Sequence, residues 1–117
     1  MKHTKPYFRF DDERGFLIEI IKGDAWKQLS HSSTRKGTTR GGHYHKITKE
    51  FFYVIKGSAE VKIKSAKTGK EETFIAKKGD CFIVDPYDFH WLTAIEDAEW
   101  VVLLSKEYDE NDKDIYK

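Results

Sequence analysis

Three histidines and one glutamate have the residue types and spacing of a metal-binding set: His43, His45, Glu50 and His90. Side chains alternate along an extended strand, so His43 and His45 project from the same face and can converge on one ion. Glu50 comes five residues after His45, beyond a short polar connection, and heads an apolar stretch. A hairpin there would carry its carboxylate next to the two imidazoles. His90 follows the turn Asp85-Pro86-Tyr87-Asp88 at the start of another strand, where an inward ring would complete the set. Three nitrogens and one oxygen suit a divalent ion with a position left for water or substrate. Zinc is the first choice, with iron, manganese, nickel and copper compatible.

The elements that must position these groups read as strands. Short β-rich runs separated by glycine or charged turns fall at Gly15 to Ile21, Trp26 to Ser32, Arg40 to His45, Glu50 to Lys56 and Ser58 to Ser65. Further runs are Glu71 to Ala76, Asp80 to Asp85, Phe89 to Ala94 and Glu99 to Ser105. That rhythm predicts an all-β sandwich or barrel. In Ser58 to Ser65, Ala59, Val61 and Ile63 share one face while Glu60, Lys62 and Lys64 share the other, the pattern of a half-buried strand. Lys67 to Lys70 and Lys77 to Asp80 read as hairpin turns, each with a glycine for positive φ. No segment carries a sustained helical period. The strongly charged tail, residues 106–117, is expected to cover the surface or a dimer partner.

With 117 residues the chain accommodates one domain and one core. Lys and Arg number 21 against 20 Asp and Glu, a net charge of +1 with the signs interspersed. This excludes a nucleic-acid or membrane-surface footprint. No apolar run is longer than that of Phe51 to Ile55, far too short for a signal or membrane segment, and Cys81 is the only cysteine. Cytoplasmic residence and no disulfide are the resulting expectations. A small barrel with free strand edges is expected to pair as a homodimer.

The stretch Gly37-x5-His43-x-His45-x4-Glu50-x6-Gly57 matches the first motif of the cupin family at every specified position. The resemblance implies a cupin jelly-roll β-barrel, or double-stranded β-helix, over residues 1–117. Gly79 and His90 keep the spacing of the second motif, whereas Asp85, Tyr87 and Ala94 stand where that motif has proline, glycine and asparagine. Asp12-Glu-Arg-Gly-Phe16 and Lys36-Gly-Thr-Thr-Arg-Gly-Gly-His-Tyr-His45 resemble the opening of the sugar-nucleotide cupins, the epimerases and ketoisomerases of deoxythymidine-diphosphate sugars. Arg40-Gly-Gly-His-Tyr-His45, Lys49-Glu50 and the run from Glu107-Tyr-Asp109 to Asp114-Ile-Tyr116 are most similar to the C-terminal cupin domain of capsular polysaccharide assembling proteins.

The resemblance implies a metal-binding isomerase or epimerase acting on a nucleotide-linked 4-keto-6-deoxy sugar in surface polysaccharide biosynthesis. Such chemistry removes a proton α to a carbonyl, which requires a base and an electrophile for the enolate oxygen, a role open to a divalent metal. The candidate base is a hydroxide on the metal or a histidine free of it, with His43 named for the catalytic set. Tyr87 is the candidate proton donor, ahead of Tyr44 and Tyr53, which alternate away from the inward face. Arg40, through its planar donor fork, and Trp91, by stacking, are the candidate substrate-binding residues. Phe52, Phe82, Phe89 and Trp100 are further barrel-lining candidates. Any reduction would need a separate reductase, since no nicotinamide-binding module fits in this length. Two other readings stand beside this one, a small Fe(II) dioxygenase and a non-catalytic sugar- or metabolite-binding module.

Overall fold

The computed structural model describes residues 1–117 as eleven strands. They are β1 (Lys2–Thr4), β2 (Phe8–Asp12), β3 (Gly15–Glu19), β4 (Gln28–Thr34), β5 (Thr39–His43) and β6 (Glu50–Lys56). The remainder are β7 (Ser58–Ser65), β8 (Glu71–Lys77), β9 (Cys81–Val84), β10 (Asp88–Ala94) and β11 (Ala98–Leu104). Two antiparallel sheets, ordered β1-β9-β6-β11-β4 and β5-β10-β7-β8, form the jelly roll, and β2 and β3 pair only with each other as a separate ribbon.

Alternation decides what lies between the sheets. Phe52 and Val54 of β6, Val61 and Ile63 of β7, Phe82 and Val84 of β9, Leu92 of β10 and Trp100 of β11 form one buried cluster. Phe52 stacks on Phe82 with centroids 4.9 Å apart. The inward assignment of Ala59, Val61 and Ile63 against outward Glu60, Lys62 and Lys64 holds residue by residue. Phe51, Cys81 and Ile83 belong to the opposite face of the larger sheet, where Ile20, Ile21 and Trp26 cover them.

Three expectations change. Glu50 does not reach the histidines through a hairpin, because β5 lies in the smaller sheet beside β10 while β6 lies in the larger one between β9 and β11. The connection 44–49 crosses between sheets, so Glu50 faces His43 across the barrel. Lys77 to Asp80 likewise carries the chain from one sheet to the other and closes no hairpin, whereas Lys67 to Lys70 does join the paired strands β7 and β8. β1, only three residues long, lacks a period-2 signature in sequence, and it and β2 are strands beyond those expected. β1 exists because Lys2–Thr4 satisfies the edge of β9, a non-local partner.

Candidate metal centre

His43 ends β5, Glu50 opens β6 and His90 sits early in β10, so backbone ladders place three of the four candidate ligands. His43 and His90 are register partners across β5 and β10. Gly41 permits that approach: a Cβ there would lie 2.4 Å from the carbonyl oxygen of His90. One potential ligand atom from each of His43, His45, Glu50 and His90 lies within 4.8 Å of the others.

The cluster is organised around one buried oxygen. Glu50 Oε1 is 2.8 Å from His45 Nε2 and 3.1 Å from His90 Nε2. The far nitrogens are held outside: His45 Nδ1 donates to the carbonyl of Asp114, and His90 Nδ1 donates to that of Asp88. A carbonyl only accepts, so both Nδ1 atoms carry the proton and both Nε2 atoms present a lone pair inward whenever the rings are neutral. Donors 2.0–2.2 Å from one ion lie roughly 2.8–3.6 Å apart at angles of about 90–110°, which brackets the Glu50 contacts of 2.8 and 3.1 Å. The donor set fits a divalent cation.

Burial opposes the Glu50 charge, but hydrogen bonds from His45 and His90 outweigh it and hold the carboxyl at about 2. Burial also disfavours protonated His45, and its bond to Glu50 overcomes this and raises its pKa above 6.5. His43 goes the other way, to about 4, through burial and the neighbouring His90 and His45 rings. Near neutral pH the cluster therefore holds an anionic carboxylate and a neutral His43, with the shared space between Glu50 and His45 open to a proton or a metal ion.

A cavity of about 240 Å³ opens beside this cluster, lined by His43, His45, Thr48, Glu50 and the tail residues Lys106, Glu107, Tyr108, Asp109, Asp114 and Ile115, with Gln28 and Leu104. The tail thus covers the barrel mouth of its own chain. Tyr108 is the tyrosine that lines the cavity, and Tyr87 does not. Tyr87 takes φ 69 at the position where the second cupin motif has glycine. Its ring stacks on Tyr44, and the ammonium of Lys67 lies 4.3 Å above it. Arg40 is also placed elsewhere, its guanidinium donating to Thr34 Oγ1 and the Ser33 carbonyl of β4. Trp91 and Phe89 stack on each other on the strand face opposite His90 and Leu92, with Gly42 against the Trp91 indole. Neither lines the barrel. Lys49 pairs with Asp24, Asp85 with the Met1 ammonium, and the exposed His3 and His31 with Glu72 and Glu99.

Sequence reasoning missed Gln28, Thr48, Tyr108 and Asp114. The similarity at Glu107-Tyr-Asp109 to Asp114-Ile-Tyr116 was the available signal, since a patterned segment ending a small barrel is more than a solvated tail.

The profile of the family described as polysaccharide biosynthesis C-terminal domain matches residues 10–116. The chain belongs to this family. A UDP-2-acetamido-2,6-beta-L-arabino-hexul-4-ose reductase of Pseudomonas aeruginosa is 33% identical over 109 residues, 90% of this chain and 29% of that protein. The capsular polysaccharide assembling protein of Staphylococcus aureus superposes with a TM-score of 0.73 at 21% identity, covering 97% of this chain and 32% of the other. The polysaccharide biosynthesis C-terminal domain described here thus spans about a third of the length of these two relatives. A dTDP-4-dehydrorhamnose 3,5-epimerase from Sulfolobus tokodaii superposes at 0.76 with 24% identity over 88% of this chain and 69% of its own. The fold is the cupin jelly roll of the sugar-nucleotide epimerases.

Proposed function

We propose that the domain is a metal-dependent isomerase or epimerase of a nucleotide-linked 4-keto-6-deoxy sugar. The observation that carries this reading is a four-donor cluster, His43, His45, Glu50 and His90, three of whose members, His43, His45 and Glu50, line a cavity whose tail-side wall presents Tyr108, Glu107 and Asp109. A divalent ion on those donors, zinc first, would supply an electrophile for the sugar ketone. The protein's own groups do the rest. Glu50 and the carbonyls behind His45 and His90 orient the imidazoles, and the barrel core behind them excludes water. Tyr108 takes the proton-donor role first assigned to Tyr87, because it reaches the cavity. Glu107 and Asp109 are the carboxylates beside it that can accept the α-proton. His43 contributes as a neutral imidazole. The sugar-nucleotide names of the relatives support the substrate class, and a reductase step would be supplied by a nicotinamide-binding unit outside these residues.

The reading also includes a second copy of the chain. Phe8, Phe10, Phe16 and Leu17 on the β2–β3 ribbon are 49–64% exposed. A lone two-stranded ribbon has marginal stability in water, so an apolar one needs a cover.

Zinc-loaded protein incubated with such a 4-keto sugar in deuterium oxide is expected to place deuterium on the carbon next to the ketone, read by NMR. Stoichiometric metal with no deuterium uptake would overturn the isomerase reading, and oxygen consumption by the iron-loaded protein would favour the dioxygenase. On the same sample, light scattering is expected to give twice the 13.7 kDa of the chain. A mass of one chain would remove the dimer.

A further inference from the structure

Three of the four candidate ligands lie in strands, but His45 does not. β5 ends at His43, and β6 begins at Glu50. No sheet ladder extends to His45, and what holds it comes largely from the other end of the chain. Tyr44 and Tyr116 exchange both backbone hydrogen bonds, each at 2.9 Å. The Asp114 carbonyl accepts from His45 Nδ1. Its carboxylate accepts from the backbone N–H of Lys46, Ile47 and Thr48 at 2.7–2.9 Å, and from the Thr48 hydroxyl. Two further ties come from elsewhere: Tyr87 N–H donates to the His45 carbonyl at 2.6 Å, and His45 Nε2 lies 2.8 Å from Glu50 Oε1.

We infer that Asp114 is a positioning residue for His45: its carboxylate gathers the turn after the histidine, its carbonyl sets the tautomer of the ring, and together they make the fourth donor available to the site. The inference rests on the proposed metal-binding reading and adds that the completeness of the donor set depends on the C-terminal segment. Asp114 has the strongest hold available to one side chain here, since it satisfies three consecutive amides that the departing strand leaves without ladder partners. The tail itself is anchored again at Tyr108, whose N–H donates to Gln28 Oε1 at 2.9 Å. The segment that completes the ligand set therefore also forms one wall of the cavity. Displacing it to admit a larger ligand would loosen His45 while leaving His43, Glu50 and His90 in their strands.

The test compares wild type with Asp114→Ala and Asp114→Asn in two measurements. In metal-free protein, NMR of the imidazole nitrogens is expected to show a protected Nδ1–H on both His45 and His90 in the wild type. Asp114→Ala should lose the His45 signature and keep that of His90, whose acceptor is the Asp88 carbonyl within β10. In a competition titration, zinc affinity should fall about 10- to 100-fold in Asp114→Ala and recover in part in Asp114→Asn, which keeps one acceptor oxygen. An unchanged His45 signature with unchanged affinity overturns the inference. Loss of both histidine signatures also overturns it, because the segment would then support the barrel as a whole. If the wild type binds no zinc, the metal-binding reading fails, and the selective loss of the His45 signature still decides the role of Asp114.

Discussion

Replacing Glu50 with alanine is expected to weaken zinc binding by about two to three orders of magnitude, one ligand's share of a four-donor site. It should also change how the metal-free protein responds to pH. In the wild type, His45 has a pKa raised above 6.5 by its bond to Glu50, so its contribution is fully present below pH 6.5 and is lost as pH rises through the folded-state value. Glu50 is depressed from 4.5 to about 2, so its contribution is present above pH 4.5 and is lost as pH falls through about 2. Both stand together between pH 4.5 and 6.5. Urea unfolding should therefore show Glu50→Ala destabilised by about 2 kcal/mol near pH 5.5, the scale of a buried hydrogen bond to a charged group. The gap should narrow at pH 8.5, where a neutral His45 no longer misses its partner. Zinc should reverse the wild-type trend, because ion and proton compete for the same Nε2 atoms. A variant that retains one equivalent of zinc within tenfold of wild-type affinity would remove Glu50 from the site.

The second large effect is structural. Gly37 and Gly57 have equal standing in the first cupin motif, and both have positive φ, 83° and 72°. Their surroundings differ. A Cβ on Gly57 would lie 2.3 Å from the Asp97 carbonyl oxygen and 2.9 Å from Ala98 Cα, whereas one on Gly37 would meet nothing within 4 Å. Gly37→Ala should cost only the left-handed backbone strain, about 1–2 kcal/mol. Gly57→Ala adds a backbone clash between the β6–β7 turn and the entry to β11, for a total of about 3–4 kcal/mol. Chemical denaturation of the two variants side by side checks the difference. Equal losses would mean that the β6–β7 turn moves away from Asp97 freely.

How much of the molecule was legible depends on the range of the interactions involved. β7 could be read because Ala59, Val61 and Ile63 alternate with Glu60, Lys62 and Lys64, and a period of two with one face apolar is a local signature of burial against a sheet, while β6 and β11 stood out as short unbroken apolar runs bounded by polar residues. β1 could not be read, since its three residues become a strand only by pairing with the distant β9. The four donors were legible for a similar reason. Of the two histidines read as sharing a strand face only His43 lies in β5, His45 being just past its end, and the glycine spacing around them fixes where the chain can turn.

The route of Glu50 to the histidines was not legible, because a turn between two strands looks alike in sequence whether the strands pair or enter opposite sheets. Tyr87 sits three residues before the candidate ligand His90, yet the backbone at φ 69 sends its ring onto Tyr44, while Tyr108, eighteen residues beyond His90, reaches the cavity. The sequence by itself determined the composition of the candidate donor set and the strands that present His43, Glu50 and His90. Only the tertiary structure decided which other side chains share its space. That second choice rests on sheet order and on the return of the C-terminal segment across the barrel, contacts between residues far apart in the chain for which no local spacing carries a signal.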